Sequence, residues 1–523
     1  MKEGSMEHPS IINTVLGPIT LGPSSSHLAG PVYLGNLAKE IIDFPPEKIE
    51  IVFNEGSSFS ATYRSHGTDR ALIAGFLGWK PDNLDIPGSL KEAKDRGLII
   101  DFKSDKLQTE HPNGVLFKIT GKNGETTNII GASEGGGAAR IFQIDEESTS
   151  IDGQKTSVLV KFTNKEDKKL FLEGLDKQFN ITYNAEKIVT LDTKKNITEK
   201  DESQLKDNQY ISSHKVIDPV YHAANNKSSD IPLFSTSEEL YKLTKEKDIK
   251  LSEAALLYEK NRMGWDEEKI RYHIGKMVDV MENAIKQGLE KELNFSGGIV
   301  KQGGKRIKDA LDSKQTITKG TMPKATAYAM AVNEVSASLG LIVAAPTAGA
   351  SGVIPGALFA AFEDMAEEIS RDTKIDALLS AGAIGAVFAQ KATFLAELCG
   401  CQVETGFATA MAAAAIIEVN GGTVKQSIDA ASLTLQNILG MECDPVAGLM
   451  EVPCINRNAL GAVNALMSSE IIWAGVNNVI PLDEVIETVY EVGRFRPMQC
   501  NGSGGLAITP TSKKLREEWM NKQ

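Results

Sequence analysis

The sequence predicts three parts: an α+β domain over residues 1–152, a small βαβ module with its linker over 153–232, and a mostly α-helical domain over 233–523. Strand and helix signals alternate along residues 10–150, and a strand–helix–strand run fills 155–192. From Thr321 onward the chain turns rich in Ala, Gly and Val with sparse charge, the composition of helices that approach one another closely.

At 523 residues the chain can bury roughly two to four separate cores. A content of 41% hydrophobic and 24% charged residues is that of a globular protein. The net charge of −13 argues against a nucleic-acid partner, because phosphate neutralisation needs a basic surface. The opening MKEGSMEHPSIINTV has no apolar signal core, so export is not expected. Five cysteines in so long a chain form no disulfide framework, which points to a reducing cytoplasm. The longest uncharged run, Val335 to Phe362, raises the question of a membrane span. Pro346, Pro355, Gly340, Gly349, Gly352 and Gly356 interrupt it, and a lipid-exposed helix would leave backbone groups unsatisfied at such breaks. It reads instead as a buried helix, turn and helix, with no membrane partner.

In chain order, LGPITLGPSSSHLAGP carries two Gly-Pro turns, then Ser24, Ser25, Ser26 and His27. A helix is expected from Pro31, with Leu34, Leu37, Ile41 and Ile42 at helical spacing. Hydroxyls and free N–H groups at a helix start favour an anion such as a carboxylate; simple N-capping is the alternative, although three serines and a histidine exceed what a cap needs. KIEIVFNE reads as a strand, and His66, Thr68 and Asp69 fall just before an apolar-periodic helix. GVLFKIT and TTNIIGAS, around Asn123–Gly124, read as a hairpin. The triple glycine 135–137 permits close backbone approach but lacks the Lys-Ser/Thr of a phosphate loop. Residues 155–192 read TSVLVKF, NKEDKKLFLEGLDKQF and NITYNAEKIVTL, an ACT-like βαβ unit that is either a ligand sensor or an inert spacer. Residues 193–232, with NNKSSD, read as a linker. The helical part begins at Ser235, where Ser235 and Glu238 fit a capping box. Ile270, Ile274, Met277, Val278, Met281 and Ile285 form one apolar helix face, and ATAMAAAAIIEV reads as a buried helix.

Three cysteines stand in distinctive settings: Cys401 in ELCGCQVETG, Cys443 in GMECDPVAG and Cys454 in EVPCINRNA, 42 and 11 positions apart. They are candidates to hold an iron–sulfur cluster, with buried structural thiols and zinc as alternatives. Zinc favours short C-x₂₋₄-C pairs, which Cys399 and Cys401 meet poorly.

GPSSSHLAGP resembles the N-terminal signature GPSSSHTAGP of the iron–sulfur-dependent L-serine dehydratases. SHGTD, SEGGGAARI, SGGIVKQGGKR, NEVSASLG, AAPTAGASGVIPG, AGAIGAV, GCQVETG, CDPVAGLMEVPC, RNALGAVNA and GSGGLAITPT follow in that family's order, from about Gly17 to Thr511 and most weakly over 155–232. The resemblance implies a fused chain, the β-type part first and the cluster-binding α-type part second. It implies a [4Fe–4S] cluster on Cys401, Cys443 and Cys454, with one iron left open as a Lewis acid. The implied reaction is β-elimination of L-serine to pyruvate and ammonia, without pyridoxal phosphate. Ser24, Ser25, Ser26, Thr347 and Asn333 are then expected at the substrate. His27 and His66 are expected to handle protons, with Asp69 orienting one of them and Lys305 a further catalytic candidate. A homodimer in the cytoplasm is expected. Leu28 replaces the signature's Thr, and Ala350–Ser351 stand where many relatives have Ser-Cys. The chain ends EEWMNKQ, without the terminal cysteine of some relatives, so Cys500 is the candidate fourth ligand, with a structural thiol as its alternative. A sister lyase such as an L-cysteine desulfidase and a non-catalytic amino-acid sensor are the rival readings.

Overall fold

The computed structural model describes residues 6, 8–107, 109, 111, 113–193, 197–221, 231–365, 368–495 and 504–521. The chain divides into two compact units, one of residues 29–134 and 138–229, the other of 1–28, 135–137 and 230–523.

The first unit is built on a six-stranded sheet in the order 99–105, 46–54, 114–121, 126–135, 138–144, 147–151. The strands Pro46–Asn54 and Ile99–Asp105 run parallel because three α-helices cross between them. Along Gly114–Gly121, Val115, Phe117 and Ile119 point into the core, the alternation expected of a sheet covered on one face. The expected hairpin joins this strand to Thr126–Gly135, antiparallel through Gly124 at φ 86°. Helix Ala29–Ile41 starts two residues before Pro31 and packs on Thr68–Phe76 through facing glycines. A Cβ on Gly35 would lie 2.1 Å from Leu72 O, so the two backbones touch and no larger residue fits. The expectation that His66, Thr68 and Asp69 all precede a helix is corrected. His66 ends a helix, Ser58–His66, capped by Ser57, and Thr68 and Asp69 open the next one, with Gly67 in the left-handed conformation between them.

Residues 157–217 form βαββαβ rather than βαβ. Strands Ser157–Lys161, Phe179–Asn184, Ile188–Thr193 and Ser213–Ile217 lie in the order 213–217, 157–161, 188–193, 179–184, all neighbours antiparallel. NITYNAEKIVTL is not one strand, because Ala185 N donates to Ile188 O (2.9 Å) and folds it into a hairpin. The segment read as a linker supplies the second helix, Glu199–Lys206, with a Thr198/Asp201 capping box, and the last strand. NNKSSD lies outside the described residues.

The second unit is helical. Helix Thr405–Val419 is apolar on all sides and is buried from 405 to 417 among helices Arg371–Lys391, Val424–Gln436, Cys454–Trp473 and Val353–Glu363. Helix Glu267–Glu290 buries the predicted face of Ile270, Ile274, Met277, Val278, Met281 and Ile285. The first helix of this half, Ser237–Lys247, is capped one residue later than expected. The Thr236 hydroxyl accepts from Glu239 N (3.0 Å), and Ser235 N donates to the Glu239 carboxylate (2.6 Å). The uncharged run is not simply helix, turn, helix: Leu341–Val343 in its middle pairs antiparallel with Ile19–Leu21. Among the described residues no helix is long and apolar enough to cross a membrane.

Candidate active site

The two-stranded ribbon sets the site. Gly22 N donates to Gly340 O (3.0 Å) and Ala344 N to Pro18 O (3.1 Å), so the chain enters Ser24–His27 and leaves towards Thr347–Ser351 from one fixed base. Ala348 N then donates to Ser25 Oγ (3.3 Å), which ties the serine turn directly to the second loop.

Within the turn, His27 Nδ1 lies 3.2 Å from Ser24 Oγ and 3.0 Å from Ser26 Oγ. Ser26 donates to Glu397 Oε1 (3.4 Å), and that oxygen is 4.0 Å from His27 Nδ1. Burial pushes the His27 imidazole down to about 3, so it is neutral throughout the physiological range.

The loop Thr347–Ser351 is held from two more sides. Asn333 Nδ2 reaches Ala348 O (3.5 Å) and Gly349 O (3.3 Å). Asn458 Nδ2 donates to Gly349 O (2.7 Å) and to Cys454 O (2.9 Å), while its Oδ1 accepts from Gly352 N (2.8 Å). Asn458 thereby clamps the loop to the helix that Cys454 begins. Asn333 Oδ1, Thr347 Oγ1 and Ser351 Oγ are buried with no hydrogen-bond partner among the described residues. Buried polar oxygens are seldom left so, and three around one loop mark a place for a polar ligand.

Glu404 joins this loop to the thiols. Its carboxyl is raised to about 7 by burial and then by the charge of Glu397, while the Thr347 and Cys401 side chains pull it the other way. The Thr347 hydroxyl thus faces Glu404 without a hydrogen bond of ordinary geometry. Glu404 Oε2 lies 3.8 Å from Cys401 Sγ.

The three cysteine segments are stitched together around that point. Gln402 N donates to Met441 O (3.3 Å), and Gly440 N to Gln402 Oε1 (2.9 Å), holding the approach to Cys443 against Cys401. Gly400 sits at φ 78°, and a Cβ there would lie 2.5 Å from Met441 O. Arg457, one turn beyond Cys454, donates to Glu442 O (2.7 Å) and pairs with Asp444 (2.9 Å), gripping both neighbours of Cys443. Leu506 N, in GSGGLA, donates to Asp444 Oδ2 (2.9 Å). Burial and then the adjacent Cys401 push the Cys454 thiol well up, while Arg457 pulls it down. Two repelling sulfurs in a dry place, beside a guanidinium and a helix N-terminus, suit a polynuclear iron centre, whose charge would offset their repulsion. Among the described residues no three His, Cys, Asp or Glu side chains converge as a cage for a single metal ion. A cluster needs no such point, because each thiolate binds a different iron.

The remaining candidates lie in the other unit, at an exposed position or outside the described residues. His66 and Asp69 are buried in the other unit, where burial raises the Asp69 carboxyl and Arg70 N, 2.8 Å from Oδ1, opposes the rise. Lys305, about 41% exposed, pairs with Asp309 (3.7 Å) beside a surface cleft of about 530 Å³ that Lys301 and Arg306 also line. Leu28 is buried. Cys399 is buried, with its Sγ 4.0 Å from Tyr490 O. Cys500 lies outside the described residues. Glu397, Glu404 and Asn458 escaped the sequence reading. The first two flank Cys401 within ELCGCQVETG, and an acid on each side of a candidate ligand was the available signal.

Residues 192–507 match the family model of the serine dehydratase alpha chain, and residues 15–140 match that of the serine dehydratase beta chain. The chain is 41% identical over 294 residues to the probable L-serine dehydratase alpha chain of Bacillus subtilis, covering 55% of this chain and 95% of that one. It is 29% identical over 522 residues to the L-serine dehydratase of Streptomyces coelicolor, covering 94% and 97%. It is 27% identical over 514 residues to L-serine dehydratase 2 of Escherichia coli, again covering 94% and 97%.

Proposed function

The chain belongs to the serine dehydratase family, with alpha- and beta-chain regions in one polypeptide and carbon–nitrogen lyase chemistry, and from that premise we propose that it is an iron–sulfur-dependent L-serine ammonia-lyase. The observation that carries the reading is the meeting, within one unit, of the Ser24–His27 turn, three unpartnered buried oxygens and the Cys401–Glu404 pair.

A [4Fe–4S] cluster held by Cys401, Cys443 and Cys454 would supply an iron without a protein thiolate, a Lewis acid that makes hydroxide a tolerable leaving group. The side chains account for the rest. Ser24, Ser25 and the Thr347 hydroxyl donate to the substrate carboxylate, and Ser26, whose hydroxyl otherwise donates to Glu397, turns it to the carboxylate when substrate binds. Asn333 Oδ1 accepts from the ammonium group. His27, kept neutral by burial, takes the α-proton, and Ser24 and Ser26 fix its ring through Nδ1. Loss of that proton and of the β-hydroxyl, which leaves as water, gives aminoacrylate; its imine tautomer is hydrolysed to pyruvate and ammonia. The burial of these groups keeps water from competing for the same hydrogen bonds.

The test is anaerobic purification, iron and sulfide assay, and pyruvate release from L-serine, L-threonine and L-cysteine. The expected outcome is a brown protein most active on serine. A colourless, iron-free protein from the same preparation overturns the cofactor assignment. Turnover of cysteine alone would make the chain a desulfidase, and no turnover of any amino acid by iron-loaded protein would make it a sensor.

A further inference from the structure

Between Cys443 and Cys454 the chain carries Glu451, which is 3% exposed. Four consecutive backbone N–H groups from SGGIV close on its carboxylate. Gly297 and Gly298 donate to Oε1 (2.8 and 2.9 Å), and Ile299 and Val300 donate to Oε2 (2.9 and 3.1 Å). Such an amide cup ordinarily receives an anionic ligand; here the protein fills it with its own side chain. Gly298 takes φ 65°, and a Cβ on Gly297 would fall 2.6 Å from Glu451 Oε1, so both glycines are needed for the cup to close. The loop is also held by the C-terminal helix Pro510–Met520, whose Trp519 Nε1 donates to Ser296 O (3.3 Å) beside the cup. Ala447 N donates to Ser512 Oγ (2.8 Å), and Leu515 and Trp519 pack on Val446 and Leu449.

We propose that Glu451 is a positioning residue that fixes the Cys443–Cys454 loop in its ligand-holding shape, with SGGIV as its receptor. Glu451 lies three residues before Cys454, and Pro453 leaves little freedom between them, so the anchored carboxylate sets where the helix bearing Cys454 begins. The charge matters as well as the shape. A carboxylate accepts all four N–H groups, whereas a glutamine accepts with one oxygen and turns its NH₂ against the other two donors. The inference rests on the reading of Cys443 and Cys454 as cluster ligands.

The experiment compares Glu451→Gln with the wild type in two arms. In apoprotein, alkylation of each cysteine is followed by mass spectrometry. Cys443 and Cys454 are expected to react about tenfold faster in the variant, with Cys399 unchanged. In anaerobically reconstituted protein, loss of charge-transfer absorbance to a chelator is expected to accelerate about tenfold, the lower end of what outer ligand supports contribute. Activity per remaining cluster and the KM for serine should stay near wild type. Gly297→Ala crowds the same carboxylate from the donor side while leaving its charge, and it should shift both readouts the same way even if the first variant folds poorly. Wild-type labelling and chelation rates in both variants overturn the proposal, as does equal acceleration at Cys399, which would signal general loosening. If wild-type protein takes up no iron, the cofactor reading fails, yet the labelling arm still decides the role of Glu451.

Discussion

Glu334, beside Asn333, gives a sharp test of how burial acts in this fold. Its side chain is fully buried and accepts from Gly303 N (2.5 Å) and Gly304 N (3.1 Å) at the start of helix Gly304–Asp312. Burial raises its carboxyl from the ordinary 4.5 to about 7, against the pull of those two N–H groups. Between these two values the folded chain holds a proton that the unfolded chain releases. Stability from this group is therefore complete below pH 4.5 and is lost as pH rises to 7. The gap of about 2.5 pH units, at about 1.4 kcal/mol each, is worth about 3 kcal/mol. Glu334→Gln is neutral at every pH, and its amide oxygen can still cap the helix. It turns an N–H towards Gly304 N where Oε2 now lies at 3.3 Å, which takes back about 1 kcal/mol. The variant should thus be about 1 kcal/mol less stable than wild type at pH 4.5 and about 2 kcal/mol more stable at pH 8. Thermal unfolding of both proteins at one scan rate from pH 4.5 to 8 measures the crossing, and every other titrating group cancels in the difference. A difference that does not change with pH, or a variant less stable at pH 8, refutes the reasoning.

Other substitutions probe the site itself. His27→Ala should lower turnover of serine by about 10²–10⁴-fold with iron content unchanged; near-normal turnover with an intact cluster would remove His27 from the mechanism. Ser25→Ala deletes the acceptor of Ala348 N, a loss of about 1 kcal/mol, and should raise the KM for serine roughly fivefold in initial-rate assays with kcat little altered. Asn458→Asp keeps the shape but faces a carboxylate towards Gly349 O and Cys454 O. Loss of about 3 kcal/mol in denaturant unfolding, together with reduced iron uptake, is expected. Gly356→Ala would set a Cβ 2.6 Å from the Ala329 Cβ and 2.7 Å from its nitrogen, prising helix Val353–Glu363 from Thr321–Ala337 at a cost of about 1–3 kcal/mol in the same measurement.

Long periodic segments were legible in the sequence because burial itself is periodic. Helix Glu267–Glu290 repeats its apolar face over 24 residues, and the Gly114–Gly135 hairpin announces its turn with Asn-Gly. Elements without a period or punctuation were not. Helix Ser58–His66 is mostly polar and partly exposed, so only its cap at Ser57 and stop at Gly67 mark it. The hairpin inside NITYNAEKIVTL turns at Ala185–Lys187 with neither Gly nor Pro, and its period-two pattern runs on across the break. The ribbon Ile19–Leu21 has three residues, too few for any pattern, and its partner lies more than 300 positions away.

The same asymmetry governs the site. Cysteines are five in 523 residues, and a Ser-Ser-Ser-His run is unusual, so residue type alone draws attention to them. Carboxylates number 69, and residue type alone separates neither Glu451 nor, apart from their places on either side of Cys401, Glu397 and Glu404 from those that solvate a surface. Their meaning comes from where folding leaves them. Glu397 reaches Ser26 across 371 positions, and Glu451 reaches the SGGIV amides across about 150. A carboxylate buried at such a distance costs several kcal/mol unless donors are waiting; Glu397 meets the Ser26 hydroxyl, whereas the donors on Glu451 are backbone amides, which every residue but proline carries. What distinguishes SGGIV is therefore its glycines, which let four successive amides turn towards one point. A Gly-Gly that follows no strand and precedes no phosphate signature can accordingly be read as a receptor for one of the chain's own buried acids, and the acid to look for first lies between two candidate metal ligands.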